Sequence, residues 1–364
     1  MDSYKAAGVD YDVLDAGKRT AVARALESSS FSASRGVRSL DESRGESAFV
    51  YQLGDRYLAQ VMEGLGTKSI IARAVQEATG RNLFAAIGYD TVAAIVNDLI
   101  SVGALPLVVN AYFATGAPDW YGVEGRHQAL VHGWFEACRD SGATWGGGES
   151  PGLSGIVLED EIDLAGCASG AVPAGHSPIL GADLSAGDEI VFIASNGLHA
   201  NGASLARKLA AELPDGYQTV MPNGEEYGEA LLAPTAIYVD VVERVLEAGL
   251  PITYMSHITG HGFRKVMRAN HALTYRITDL PPVPPVLTFL AEQTGMSEAD
   301  AYGTFNMGAG FAIYCKPGAA DEVVQLAKEC EKEAWIVGAV EAGERQVVIE
   351  PKDITFTDES LQLR

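Results

Sequence analysis

The run Glu63-Gly64-Leu65-Gly66-Thr67-Lys68 combines bare backbone, a cation and a carboxylate, the groups a polyphosphate needs. Its glycines let the backbone approach an anion closely, and the first amides of a following helix would point at that anion. Lys68 adds a point charge, and Glu63 is a hard oxygen ligand for Mg²⁺. The G-x-x-x-x-G-K-[ST] spacing of a P-loop is absent.

Four further constellations carry chemistry. Asp90, Asn97 and Asp98 share a segment whose Val92, Ile95, Val96, Leu99 and Ile100 make a helical apolar stripe. Asp90 and Asn97 fall within about 20° of each other opposite that stripe, with Asp98 at its flank. The set suits an oxygen-only Mg²⁺ site, although the pattern alone favours a solvated helix face. Gly146-Gly147-Gly148-Glu149 is either a bare-backbone turn with a metal-binding Glu149 or a flexible connection. Ser195 to Gly202 lies between an apolar strand and a helix, as an anion cradle does. There His199 and Asn201 either hydrogen-bond substrate or stand as an exposed His and a capping Asn. Ser256 to Phe263 repeats the plan. His257 and His261 have zinc spacing, but Gly260 and Gly262 oppose a helix and no nearby Cys or Glu completes a site. Nucleophile-elbow, H-E-x-x-H and dinucleotide motifs are absent. The residues alone point to an ATP/Mg²⁺ enzyme with a small phosphorylated or amide-like substrate.

The elements that must position these groups alternate, which predicts an α/β or α+β protein. Strands are expected at 49–53, 56–62, 105–113, 162–171, 189–194, 252–255, 273–277, 310–315, 335–340 and 346–350. Helices are expected at 69–79, 90–103, 123–140, 205–213, 235–248, 285–292 and 320–332. The Ser-, Arg- and Gly-rich residues 28–47 read as a mobile loop. A Pro/Gly/Ala/Ser-rich stretch, 173–188, divides an N-terminal domain (1–172) from a C-terminal one (173–364).

Composition narrows the partners. The 364 residues carry a formal charge of −22, which would repel nucleic acid. Metal ions and helix N-termini can still hold phosphates. No apolar run approaches the roughly 20 residues that span a bilayer, so no membrane partner is expected. Met1-Asp2-Ser3-Tyr4 is no secretory signal, and Cys138, Cys167, Cys315 and Cys330 are scattered. Reduced thiols in a cytoplasmic protein follow as the expectation.

Taken in order, the segments resemble the phosphoribosylformylglycinamidine cyclo-ligase (aminoimidazole ribonucleotide synthetase) family. The matching pieces include Ser3-Tyr4-Lys5-Ala6-Ala7-Gly8-Val9-Asp10, Gly64-Leu65-Gly66-Thr67-Lys68, Ile87-Gly88-Tyr89-Asp90 and Val96-Asn97-Asp98-Leu99. They continue with Gly147-Gly148-Glu149, His199-Ala200-Asn201-Gly202, His257-Ile258-Thr259-Gly260 and Thr304-Phe305-Asn306-Met307-Gly308.

The resemblance implies a homodimer whose N-terminal α/β strands form a barrel across both subunits, followed by an α+β domain. It implies ATP-dependent ring closure of formylglycinamidine ribonucleotide. Carried over by motif, Glu63, Asp98 and Glu149 would hold Mg²⁺. Gly64, Gly66, Thr67, Lys68, Asp90, Asn97, His257 and Thr259 would bind ATP or line its cleft. His199 and Asn201 would act on substrate, and Lys5 would belong to a lid.

The chain departs from the family at Glu63, where Asp is usual, and at Gly260-His261-Gly262-Phe263, where the family has G-G-G-F. The family's glycine-rich loop has no clear counterpart in 36–56. Thiamin-phosphate kinase or selenophosphate synthetase relatives, and a non-catalytic nucleotide binder, are the competing readings.

Overall fold

The computed structural model describes residues 11–361. Its first half runs α1 (Tyr11–Glu27), β1 (Val37–Ser39), β2 (Phe49–Leu53), β3 (Arg56–Gly64), α2 (Lys68–Thr79), α3 (Phe84–Ile100), β4 (Leu105–Thr115), α4 (Arg126–Asp140), β5 (Thr144–Glu149) and β6 (Ile162–Ala171). The strands form one sheet in the order β1-β2-β3-β6-β4-β5, antiparallel except between β4 and β5.

Alternation decides which face of this sheet is covered. Ala59 and Val61 of β3, Leu164 and Ala168 of β6, and Val109 and Phe113 of β4 are buried. Helices α3 and α4 lie over them, and α3 packs on β3, β4 and β6. The two helices cross closely because Gly88 and Gly133 sit at the contact. A Cβ at Gly88 would run into the Leu130 carbonyl, and one at Gly133 into the Ala85 carbonyl. The opposite face carries Leu58, Gln60 and Met62, which register beside Ala171, Ser169 and Cys167. No element among the described residues covers Met62, which is 73% exposed.

The second half runs β7 (Glu189–Ala194), α5 (Ala203–Glu212), α6 (Tyr227–Leu231), α7 (Val239–Glu247), β8 (Ile252–His257), β9 (Leu273–Ile277), α8 (Pro285–Gln293), α9 (Glu298–Tyr302), β10 (Ala309–Cys315), α10 (Ala320–Glu329), β11 (Ala334–Ala342), β12 (Gln346–Ile349) and β13 (Ile354–Thr357). Its sheet has the order β13-β12-β9-β11-β7-β10-β8. Strand β10 lies between β7 and β8 and is buried along its length, as its unbroken apolar run requires.

Four expectations need correction. Residues 28–47 are not a loose loop: β1 pairs with β2, Leu40 and Ser43 are buried, and the Ser43 hydroxyl donates to the Leu40 carbonyl at 2.7 Å. The triple glycine is edge strand β5 rather than a turn. Helix α3 starts at Phe84, six residues ahead of the expected Asp90. Its polar face is not solvated, because Asp90 and Asn97 are buried against the second half of the chain. Helix α1 and the short α6, α9 and β13 had no periodic signal long enough to read.

Candidate active site

Two helix N-termini open onto one cleft of about 680 Å³ between the two halves. The first follows β3. The Leu65 amide donates to the Leu164 carbonyl at 2.8 Å, Gly66 turns the chain at φ +71°, and Thr67 precedes α2 without a side-chain cap. The second follows β7. Gly202 precedes α5 at φ +104°, and a Cβ there would lie 2.7 Å from the Phe305 ring, so glycine is required. The Thr67 and Ser204 hydroxyls meet at 3.3 Å and tie the two turns together. Uncapped helix N-termini present bare amide hydrogens and the positive end of the helix dipole, which suits an anion.

A carboxylate pair stands beside these termini. Asp98, from α3, accepts a hydrogen bond from His257 Nδ1 at 2.6 Å. Burial alone would raise the Asp98 pKa. The His257 hydrogen bond and charge, with Lys265 and Arg268, hold it below the ordinary carboxylate value. Glu63, at the end of β3, is pushed up to about 7 by burial and then by the Asp98 charge, against the pull of Lys265 and Arg268. Two like charges facing each other in this way suit a divalent cation between them. Among the described residues, no group of three or more His, Cys, Asp or Glu is placed to hold a metal unaided. Mg²⁺ does not require such a group, because it keeps waters and binds one or two carboxylates plus phosphates. The donor set therefore fits Mg²⁺ carried with a nucleotide. It does not support zinc at His257 and His261.

A third wall brings in residues to which no sequence motif assigned a role. Gly45, Glu46 and Ser47 line the cleft together with Lys265, Arg268 and His261. Arg268 donates to the Gly45 carbonyl at 3.0 Å, and the Tyr254 hydroxyl donates to Glu46 at 2.6 Å. Two basic residues just past a glycine turn, in a chain of charge −22, were the available signal.

Of the residues to which the family motifs assign a role, Glu63, Gly64, Gly66, Thr67, Asp98, Asn201, His257 and Thr259 line the cleft. The others do not. Lys68 is 0% exposed and paired with Asp90. Asp90 Oδ1 accepts the Thr235 amide at 2.7 Å. Asn97 donates to the Ala236 carbonyl at 2.8 Å and accepts the Tyr238 amide at 3.0 Å. These three polar side chains join the halves of the chain and do not line the cleft. The His199 ring is buried, with Nε2 2.9 Å from Asn196 Oδ1. Burial, with the His257 and Lys68 charges, holds its pKa well below the usual value, so the ring stays neutral. Glu149 is exposed at the end of edge strand β5, opposite Tyr112 and away from the cleft. Lys5 lies outside the described residues.

The two mixed sheets, with uncapped helix N-termini and paired carboxylates suited to an anion and a cation between them, are those of a two-domain α/β protein. The AIR synthase related protein N-terminal domain matches residues 45–172, and the corresponding C-terminal domain matches residues 185–350. The phosphoribosylformylglycinamidine cyclo-ligase of Alkaliphilus oremlandii is 37% identical over 79% of this chain and 82% of its own. That of Methanobrevibacter smithii is 32% identical over 98% of this chain and 100% of its own. The chain belongs to the phosphoribosylformylglycinamidine cyclo-ligase family.

Among solved structures, the thiamine-monophosphate kinase of Stenotrophomonas maltophilia is 18% identical, with a TM-score of 0.58 over 84% of this chain and 90% of its own. A hydrogenase maturation protein HypE, solved in complex with ATP, is 17% identical, with a TM-score of 0.57 over 80% of this chain and 81% of its own. At that identity the likeness is one of fold alone.

Proposed function

We infer that this chain is an ATP-dependent cyclo-ligase that closes the imidazole ring of formylglycinamidine ribonucleotide, giving aminoimidazole ribonucleotide for purine biosynthesis. The observation that carries the reading is the convergence of two uncapped helix N-termini and a carboxylate pair on one cleft.

In this reading the formamide oxygen takes the terminal phosphoryl group of ATP and ADP leaves. The neighbouring amidine nitrogen of the same molecule then attacks the carbon, phosphate departs and a proton is released. Both groups belong to one substrate, so the protein supplies position and electrostatics rather than a nucleophile. The amides of Gly64, Gly66 and Thr67, with those at the start of α5, face the phosphates. Glu63 and Asp98 would hold Mg²⁺, which neutralises developing phosphate charge. Asn201, Thr259 and the His257 ring, fixed by Asp98, orient the substrate. His199 contributes through its backbone. Lys5 belongs to the segment read as a lid over the cleft.

The same reading divides the chain into domains 1–172 and 173–364 and places it in the cytoplasm. It also pairs two subunits through the uncovered sheet face that carries Met62. Glu149, on that face opposite Tyr112, would then lie at the junction of the subunits. No helix among the described residues is long and apolar enough to cross a membrane.

Incubating the pure protein with formylglycinamidine ribonucleotide, ATP and Mg²⁺ tests the assignment. ADP and aminoimidazole ribonucleotide should appear in equal amounts. ATP-dependent turnover of thiamin phosphate in its place would overturn the assignment.

A further inference from the structure

The two turns that open onto the cleft come from different sheets, and one side chain spans them. Lys68, the first residue of α2, has its ammonium 2.5 Å from Asp90 Oδ2 and donates to the His199 carbonyl at 2.8 Å. All of this is out of contact with solvent: Lys68 and Asp90 are both 0% exposed. The other Asp90 oxygen accepts the Thr235 amide, so the carboxylate is itself fixed to the second half of the chain. One residue earlier, the Thr67 hydroxyl meets that of Ser204.

The group that Lys68 grips is a strained one. His199 lies at φ +60°, a left-handed conformation that costs a side-chain-bearing residue energy and persists only where neighbours over-determine it. Three residues on, Gly202 starts the turn into α5. The direction of the His199 carbonyl thus sets where the α5 amides point. A buried ammonium that pairs with a carboxylate and donates to a carbonyl is an internal clamp, not a free point charge.

We propose that Lys68 is a positioning residue: locked between the Asp90 carboxylate and the His199 carbonyl, its ammonium holds the two anion-binding turns in register and does not itself touch the phosphates. The proposal rests on the reading of the cleft as a phosphate site. It reassigns a lysine whose place after a glycine turn suggests direct phosphate contact. Register matters because a displacement of about 1 Å from productive geometry costs on the order of 100-fold in rate.

The test uses the full-length protein and three variants: Lys68→Met, Asp90→Asn and the double Lys68→Met/Asp90→Leu. Each single change leaves a buried group without its partner and should lower the melting midpoint. The double change replaces the ion pair by apolar side chains and should recover most of that loss. In the double variant, without nucleotide, the amides of residues 199–204 should exchange with solvent about tenfold faster or more, because the carbonyl is no longer held. Its kcat should fall about tenfold or more, with a smaller change in KM for ATP.

Unchanged exchange at 199–204 in the folded double variant would overturn the proposal. So would a loss confined to KM for ATP on removing Lys68, with Asp90→Asn binding ATP as tightly as the parent. If the parent neither binds nor turns over ATP, the reading of the cleft fails. The exchange measurement still decides the clamp, so the two failures are distinguishable.

Discussion

The Thr67 and Ser204 hydroxyls stand 3.3 Å apart although 137 residues separate them. Each sits at the start of a helix, α2 and α5, that opens onto the cleft. The proposed phosphate site is thus assembled from two halves of the chain, and its quality depends on how those halves are held together.

Gly202 is the most exacting position in that assembly. At φ +104°, with the Phe305 ring where a Cβ would go, Gly202→Ala combines backbone strain with a steric clash. We expect a loss of about 2–4 kcal/mol in unfolding free energy and a fall in activity. Urea unfolding checks the first. An unchanged midpoint would contradict the tight packing of this turn.

Metal binding should depend on pH through Glu63. Its pKa in the folded protein lies near 7, raised by burial and by Asp98, so protons compete with Mg²⁺ below that pH. Affinity for Mg²⁺ with a nucleotide should weaken as pH falls through 7, and calorimetry across pH 6–8 reads it. The same shift has a stability consequence without metal. A carboxyl whose folded pKa is raised binds more protons folded than unfolded, so stability falls as pH rises from the ordinary carboxylate pKa to about 7. Glu63→Gln should flatten that fall.

Asp98 orients His257 across a 2.6 Å hydrogen bond and shares the proposed cation with Glu63. Asp98→Asn keeps the shape but removes the charge. Activity should drop about 10–100-fold or more, with Mg²⁺ dependence moved to higher concentration. Steady-state kinetics at varied Mg²⁺ would show it, and full activity would remove Asp98 from the site.

Met62 is exposed on the uncovered sheet face beside Cys167. A charge there should block pairing of two such faces. The parent is expected to sediment as a dimer and Met62→Glu as a monomer; a dimeric variant would place the interface elsewhere.

Most of the fold was legible because its strands and helices carry strong periodic signals. The strands Ile162–Ala171, Glu189–Ala194 and Leu273–Ile277 have the bounds their apolar patterns predict. The glycine turns at 64–66 and 202 were legible for the same reason, since they interrupt such patterns. What the polar residues do was not legible. Asp90 and Asn97 sit opposite an apolar stripe, and such a face meets either water or another part of the chain. Here it meets backbone amides and carbonyls at 235–238, a tertiary contact that no local pattern encodes. The burial of Lys68 against Asp90 was hidden for the same reason. Gly45 and Arg268 reach the cleft only through contacts more than 200 residues apart in sequence.

A crystal structure with a non-hydrolysable ATP analogue and Mg²⁺ would decide whether the two helix N-termini and the carboxylate pair form one nucleotide site. Phosphate oxygens are expected within hydrogen-bonding distance of the amides at the starts of α2 and α5, with the metal on Glu63 and Asp98. Phosphates bound away from both helix N-termini, or a metal that touches neither carboxylate, would contradict it.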